Sequence, residues 1–358
     1  MRVKFVNHAS VIFSYDDINL ICDPWIEGSV FHDSWSLISK TKFKYEDFKN
    51  ITHIWFSHEH PDHFFPPNIK LIPEDYRRKI SVLYHSTNDK KVIKYLRTLN
   101  FKDVIELRPN NYCDLSKKFK VMSNAFNYDS WLNIKTDKYN ILNTNDCLLK
   151  TESNLNSIKN TIGTIDLLLT QFSYASKHGN IDDKYLREIA AKEKLNQIKI
   201  QCKILSPKFV IPFASFVWYS HQENYYMNDS INTIDNIEKY LSLLNVIPIV
   251  MYPHDEYNID GQYNNDSSIE RYGIDYGNIK YSNANKTIST TLSELEKKSQ
   301  LFIQKIRSDS MASYLILLFN PLNIYITDLD IYVRFSIFRG LIEKTISKNK
   351  IHFIASSE

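Results

Sequence analysis

The chain has only 7 glycines in 358 residues. Phosphate-binding loops of nucleotide enzymes and the nucleophile turns of many serine hydrolases need closely spaced glycines. No serine lies in a Gly-x-Ser-x-Gly turn, and the sequence contains no glycine-rich phosphate loop. It therefore gives no support to a P-loop enzyme or to a serine nucleophile of the α/β-hydrolase kind.

Cysteines and long apolar runs are also scarce. The four cysteines are scattered without CxxC spacing, which is typical of unpaired thiols in a reducing compartment. No apolar run approaches the roughly 20 residues that span a bilayer, and the N-terminus, MRVKFVNHASVIFSYDD, is too interrupted for a secretory signal. We expect a cytoplasmic protein without a transmembrane segment. The cysteines are Cys22, Cys113, Cys147 and Cys202.

An excess of charge of one sign is missing as well. The 44 basic and 41 acidic residues leave a net charge of +3. This balance does not indicate a nucleic-acid or membrane-surface protein. A small-molecule substrate is the expected partner, and the sequence leaves a homo-oligomer open.

Apolar segments alternate with helical patterns along most of the chain and predict an α/β fold. Residues 1–25 read as a strand hairpin, and 51–57, ITHIWFS, read as a buried strand. Apolar residues at helical spacing predict helices over 182–204 and 230–244. Polar side chains directly after a buried strand are a common place for a site on such scaffolds, and ITHIWFS is followed at once by histidines.

The C-terminal part has a different character. Residues 258–288 are polar and Asn-rich, which predicts a linker or loop. Residues 289–358 predict a small α+β accessory domain, with a helix near 291–306 and strands at 313–319 and 331–338. The chain stops directly after the apolar run in IHFIASSE, so we expect this domain to be truncated.

The segment SHEHPDHFF, residues 57–65, contains the pattern H-x-H-x-D-H. If it forms a loop between a strand and a helix, His58 and His60 can converge on one metal ion, and Asp62 and His63 can face a second. Imidazole and carboxylate ligands suit Zn(II), Fe(II) and Mn(II). Asp62 has two interpretations, as a ligand or as the proton acceptor from a water molecule.

This pattern resembles the metallo-β-lactamase fold superfamily. NHAS and CDPW are similar to motifs of its branch of ascorbate-6-phosphate lactonases and N-acyl-phosphatidylethanolamine phospholipase D. Later stretches, including LLLTQFSYASKHGN and IVMYPHDEY, resemble CMP-N-acetylneuraminate hydroxylases and their bacterial relatives. The resemblance covers residues 1–257. It implies a four-layer αββα sandwich with two metal ions at one edge between the sheets.

The resemblance also implies further ligands. NTNDC places Asp146 as the aspartate that bridges both metals. The superfamily usually supplies a third histidine to the first metal, but no histidine lies between His85 and His178. Asp129 is the preferred substitute, with Asn124 and Asn127 left open. A carboxylate there would favour iron or manganese over zinc.

The remaining site residues are less determined by the pattern. His254, at the end of a strand, is expected as the last metal ligand, and His221 is its rival as an active-site histidine. His8 and Asp23 are expected to orient the ligand imidazoles by hydrogen bonding, although each is equally consistent with an ordinary buried residue. The aromatic stretches around Trp35 and Trp218 are consistent with either a pocket lining or core packing.

Three functions follow, in order of preference. The first is a binuclear hydrolase with two divalent ions, zinc by default, in which a metal-bridging hydroxide attacks an ester, lactone, amide or phosphodiester of a small substrate that carries a sugar or phosphate. The second is a di-iron oxygenase related to sialic-acid hydroxylases. Their Rieske domain needs Cys-x-His and Cys-x-x-His, which the chain lacks, so electrons would need a separate donor protein. The third is a binding module without catalysis.

Overall fold

A computed structural model describes residues 1–280, 282–308, 319–343 and 350–357. The chain forms two compact units. The first contains Met1–Ser220 and Asn224–Asn283, and the second contains His221–Glu223 and Ala284–Glu358. No helix in these described ranges is long and apolar enough to cross a membrane.

The strands and helices are numbered in chain order. The strands are β1 Arg2–Asn7, β2 Ser10–Tyr15, β3 Ile18–Cys22, β4 Trp35–Leu37, β5 His53–Phe56, β6 Ser81–His85, β7 Asp103–Leu107, β8 Cys113–Ser116, β9 Phe119–Phe126, β10 Asp129–Thr136, β11 Asn140–Asn143, β12 Leu167–Gln171, β13 Phe209–Phe213, β14 Val217–Tyr219, β15 Ile247–Pro248, β16 Glu256–Asn258, β17 Leu322–Ile326, β18 Ile331–Ser336, β19 Gly340–Glu343 and β20 Phe353–Ala355. The helices are α1 Pro66–Leu71, α2 Glu74–Arg77, α3 Lys91–Arg97, α4 Glu152–Ile162, α5 Lys184–Leu205, α6 Ile234–Ser242, α7 Asp266–Ile279 and α8 Leu292–Arg307.

Two seven-stranded sheets build the first unit. The first sheet has the order β16-β1-β2-β3-β5-β6-β7, and the second has the order β15-β13-β12-β11-β10-β9-β8. In each sheet an antiparallel half continues into a parallel half, β3-β5-β6-β7 and β11-β12-β13-β15 respectively. The parallel halves bring the carboxyl ends of several strands to one edge, where sites are commonly built.

The side chains of each strand point alternately to the two faces of the sheet, and this decides what each face packs against. In β5, Trp55 belongs to the core shared with the second sheet, whereas Ile54 and Phe56 join the cluster with α1 and α3. Because successive strand residues point to opposite faces, the first sheet is buried on both sides. The second sheet is covered by α4, α5 and α6, whose apolar residues lie in the same core. These layers are the predicted αββα sandwich, which is confirmed.

The predicted linker over 258–288 is wrong in part, since it contains the helix α7. Its buried face consists of Ser268, Tyr272 and Ile279, a spacing of four and seven residues that places them on one side of a helix. Tyr272 stacks on Phe216 with ring centroids 4.9 Å apart. The Asn-rich composition of the segment concealed this short apolar stripe, and α7 is part of the first unit.

The second unit contains α8 and a four-stranded sheet with the order β19-β18-β17-β20. The helix predicted near 291–306 and the strand predicted at 331–338 are present as α8 and β18. The strand predicted at 313–319 lies almost entirely outside the described residues.

A core substitution tests the packing of the first unit. Leu168 is fully buried in β12 between two neighbouring strands, and Leu168→Ala should destabilise the unit by about 2–5 kcal/mol because it leaves a cavity. Leu243→Ala, at a position 83% exposed, should change stability by less than about 0.5 kcal/mol. All 5 tryptophans lie in this unit, so urea unfolding followed by their fluorescence is the measurement. Equal effects of the two substitutions would contradict the described packing.

Candidate metal centre

The predicted ligands come together at one edge of the two sheets. Each lies in or beside a turn at a strand end: His8 follows β1, Asp23 follows β3, residues 57–65 connect β5 to α1, Asp129 begins β10, and Asp146 lies three residues after β11. This edge combines strands of both sheets. Residues far apart in the chain thereby reach one small volume.

Strained backbone marks the same edge. His8, Asp23 and Asn145 have φ angles of 24°, 39° and 48°, a region that residues other than glycine rarely adopt. Such conformations persist where surrounding bonds hold them, and they are concentrated at functional sites. In a chain so poor in glycine, these turns are made by histidine, aspartate and asparagine.

The first group of ligand atoms consists of His58, His60 and Asp129. His58 Nε2 lies 2.9 Å from His60 Nδ1 and 3.3 Å from Asp129 Oδ1. Ligand atoms about 2.1 Å from one ion are about 3.0–3.4 Å from each other in octahedral or tetrahedral geometry. The buried Oδ1 of Asp129 has no hydrogen-bond partner among the described residues. The group therefore has the spacing and the open acceptor that a metal ion requires.

A second group forms around His63. Its Nε2 lies 3.4 Å from Asp62 Oδ2 and 3.5 Å from Asp146 Oδ2. His58, His63 and Asp146 also have ligand atoms within 4.8 Å of one another, so Asp146 lies between the two groups. Within the described residues, the buried atoms His63 Nε2 and Asp62 Oδ1 have no hydrogen-bond partner. Buried polar atoms are rarely left in this state without a ligand.

The pKa values in the two groups are shifted by burial and by the neighbouring carboxylates, which attract positive charge. Burial, together with the neighbouring His63, lowers the pKa of His58 to about 3, so its imidazole keeps a free lone pair. Burial alone would lower the pKa of His63, but Asp62 and Asp146 raise it well above its usual range. Burial and the nearby Asp146 raise the pKa of Asp129 to about 6. Metal cations would supply the charge that these carboxylates otherwise draw from protons.

Asp23 orients two of the imidazoles. His63 Nδ1 donates to Asp23 Oδ2 over 2.9 Å, which leaves Nε2 for a metal. The Ser57 hydroxyl donates to the same oxygen over 2.6 Å and so can accept from His58 Nδ1, 2.9 Å away. Asn145 Nδ2 adds a third bond of 2.6 Å to Asp23 Oδ2. The fully buried Asp23 thus fixes His63 directly and His58 through Ser57.

His8 supports Asp62. Its Nδ1 accepts a hydrogen bond of 3.2 Å from the backbone N–H of Phe216, so in the neutral ring the proton is on Nε2. Nε2 lies 3.4 Å from Asp62 Oδ2 and is directed at that carboxylate. The neutral ring therefore carries a proton near Asp62, although Nε2 has no hydrogen-bond partner among the described residues. His8, Asp62 and His63 form a third group of ligand-type atoms.

Two residues of the site carry no recognisable sequence signal. Gln171, at the end of β12, donates from Nε2 to Asp146 Oδ1 over 2.9 Å. Its Oε1 accepts from the Nζ of Lys194 on α5. Both are common residue types without a distinctive neighbouring motif. The only sequence signal is that Gln171 ends a buried strand and Lys194 lies on a helix that covers the sheet.

The structure does not bring His254 or His221 into any of the three groups within the described ranges. His254 has a φ of 84° and an exposed side chain, and its backbone N–H donates to the carbonyl of Phe5. The adjacent Asp255 instead points inward, where it binds Arg271. His221 belongs to the second unit, where it forms a β-bridge with Asn285. Metal ligation by His254 and an active-site role of His221 therefore both remain predictions.

Comparison with known proteins finds distant relatives of this chain and solved structures of similar fold. No family model matches the chain. Its curated relatives include the cytidine monophosphate-N-acetylneuraminic acid hydroxylase of Xenopus laevis, 22% identical over 269 residues that cover 70% of this chain and 44% of that protein. The counterpart in Asterias rubens is 23% identical over 262 residues, covering 68% and 39% respectively. The chain thus spans less than half the length of these relatives.

Solved structures identify the fold. CmlA, a diiron β-hydroxylase from Streptomyces venezuelae, aligns with a TM-score of 0.51 and 14% identity over 72% of this chain and 54% of its own. Isothiocyanate hydrolase from Delia radicum gut bacteria aligns with a TM-score of 0.52 and 10% identity over 72% and 98%. The protein has the metallo-β-lactamase fold, which confirms the resemblance read from the sequence. Proteins of this fold include both hydrolases and diiron hydroxylases.

Substitution of Asp23 tests the orienting network. In Asp23→Asn, the amide nitrogen would donate where the carboxylate accepts, so His63 and Ser57 would lose their common acceptor. We expect metal affinity to fall about 10- to 100-fold, as measured by competition with a chromogenic chelator. Asp17→Asn, at an exposed turn position, is the matched control and should bind like the unaltered protein. Unchanged affinity in Asp23→Asn would remove Asp23 from the site.

Metal removal tests whether the buried carboxylates need cations. A ligand at about 1,000 times its Kd stabilises the folded state by about 4 kcal/mol. Chelation should therefore lower the melting temperature by several degrees, and re-addition of Fe(II) or Zn(II) should restore it. The same treatment should not affect a variant that lacks ligands of both groups, His58→Ala/His63→Ala/Asp146→Ala. Identical melting curves with and without chelator in the unaltered protein would contradict a metal centre.

Proposed function

We propose that the protein is a dioxygen-using hydroxylase with a dinuclear iron centre. The observation that supports this most is the position of Asp129 beside His58 and His60. Two histidines and one carboxylate facing an open position are the ligand set typical of non-haem iron oxygenases. The sequence alone favoured hydrolysis, and the closeness of Asp129 to both histidines reverses that order.

The rest of the ligand set supports the same assignment. His63 and Asp62 would hold the second ion, and Asp146 would contact both. Three carboxylates thus accompany three imidazoles, a harder set than the histidine-rich one that suits zinc. The hydroxylase names of the curated relatives and of CmlA are consistent with it.

The proposed reaction has a defined balance. Dioxygen, two electrons and two protons convert a substrate C–H bond into C–OH and release one water molecule, and the bound irons would supply the site of dioxygen reduction. The two electrons would come from a one-electron carrier, an iron–sulfur or flavin group outside the residues described. The protein's own residues would hold the ions, fix the imidazole tautomers through Asp23, and line the adjacent cavity.

Hydrolysis is the second candidate, and one observation favours it. Asp62 Oδ1 is buried without a hydrogen-bond partner among the described residues, and Asp62 lines a cavity. This oxygen could accept the proton of a metal-activated water molecule. In that reaction no electron donor is needed, and zinc would serve as well as iron.

Metal content and oxygen consumption separate the two candidates. Protein purified without added metal should contain about two irons, and Fe(II)-loaded protein should consume dioxygen when a chemical reductant is supplied. Asp129→His restores the histidine-rich set, and we expect it to raise the zinc-to-iron ratio about tenfold and to reduce oxygen consumption by at least tenfold. Asp114→His, at an exposed position of β8, is the control and should match the unaltered protein.

Two results would contradict the proposal. One is two zincs in the purified protein together with no oxygen consumption after iron loading, which would favour hydrolysis. The other is an Asp129→His variant that keeps the iron content and the oxygen consumption of the unaltered protein.

A further inference from the structure

A cavity of about 480 Å³ lies beside the metal centre, within the first unit. This volume falls in the range of about 300–1,000 Å³ typical of small-molecule sites. Asp62, Asp129 and Asp146 form part of its wall, so a bound molecule would lie directly against the ions. Its remaining wall indicates what kind of molecule fits, an inference that rests on the proposed function.

Two lysines face this cavity, Lys150 and Lys194. Lys194 is half-buried, and its Nζ donates to Gln171 Oε1. Within the described part of the chain, no carboxylate forms an ion pair with either lysine. An ammonium group has three N–H donors, so Lys194 retains donors for another acceptor. Burial lowers the pKa of Lys194, although Asp146 and Asp129 act in the opposite direction, which is the expected response to an ammonium with too few partners.

The charge balance of the cavity favours an anion once the metals are bound. Two divalent ions more than neutralise the three aspartates of the wall. The two lysines are then opposed only by Glu193 among the other cavity-lining carboxylates in the described residues. The cavity therefore has an excess of positive charge, to which Lys150 contributes without an opposing carboxylate from its own segment.

Aromatic side chains form another part of the wall. The Phe31 ring packs against Trp35 with centroids 4.7 Å apart, and it lies 6.2 Å from the ring of His60. Phe31 has a left-handed backbone with φ of 54°, a strained conformation for a bulky residue. Trp35 is placed by the pairing of β4 with β14. These rings give the cavity an apolar surface next to a metal ligand.

We propose that the substrate is an organic anion, with its apolar or ring-shaped body on Phe31 and Trp35 and its anionic group bound by Lys194 and Lys150. This arrangement holds the molecule at two points. The body is thereby presented to the ions beside His60, while the anion stays at the two lysines. A carboxylate and a phosphate share the required chemistry.

Calorimetric binding of simple probes to the metal-loaded 358-residue protein tests the proposal. Benzenesulfonate is an anion that coordinates metals weakly, and methyl phenyl sulfone is a neutral molecule of similar shape. We expect benzenesulfonate to bind at least tenfold more tightly, with an affinity that falls as salt is raised. Lys194→Met and Lys150→Met should each reduce its affinity about tenfold or more and leave the sulfone unaffected. Lys192→Met, at an exposed position of the same helix, should bind like the unaltered protein.

Metal analysis of each sample keeps this test separate from the proposed function. A loss of metal in Lys194→Met would show a role through Gln171 and Asp146, and Lys150→Met together with the salt dependence would then decide the outcome. Equal affinities for the anion and the neutral probe, or full benzenesulfonate affinity in Lys150→Met, would overturn the proposal. Phenyl phosphate and benzoate then distinguish the two anions, and the tighter binder identifies the group. Failure of oxygen consumption would refute the hydroxylase without affecting these results.

Discussion

Three carboxylates, Asp62, Asp129 and Asp146, converge on imidazoles at one edge of the two sheets, and the rest of the site depends on how their charge is balanced. Desolvation of ionised carboxylates is costly unless cations or hydrogen-bond donors compensate. Although burial acts in the opposite direction, His63 lowers the pKa of Asp62 and of Asp146, whereas burial and the nearby Asp146 raise the pKa of Asp129. One imidazole therefore serves two of the carboxylates and leaves the third without a compensating charge. Two metal ions would provide it. The identity of those ions then depends on one ligand, because Asp129 stands where a histidine would make the site softer.

The fold serves this edge in two ways. Parallel strands in both sheets end there, so short loops bring ligands from distant parts of the chain to within a few ångströms of each other. The hydrogen bonds around Asp23 then restrict the histidines to the tautomers that leave Nε2 of His58 and His63 available. His8, Asp23 and Asn145 adopt strained backbone conformations in this arrangement. The packing of the buried sheets beside them compensates for that strain.

The sequence predicted the parts of the site that are local. A contiguous pattern on the loop after an apolar strand contains His58, His60, Asp62 and His63. Such a pattern can be recognised without knowledge of the fold. Asp129 could be suggested only because a histidine was missing, and its approach to His58 depends on the turn between β9 and β10. Gln171 and Lys194 could not be predicted, since their roles come entirely from tertiary placement. His254 lies outside the ligand groups found among the described residues, and in its turn the neighbouring Asp255 binds Arg271. The helix α7 was missed because three buried residues in a polar segment make a weak pattern.

A crystal structure of the iron-loaded protein, with anomalous scattering from iron, would show whether Asp146 joins two ions. We expect two iron peaks about 3.5–4 Å apart, one beside His58, His60 and Asp129 and the other beside His63 and Asp62. Oxygens of Asp146 should lie within bonding distance of both. A single peak, or an Asp146 carboxylate that contacts neither ion, would contradict it.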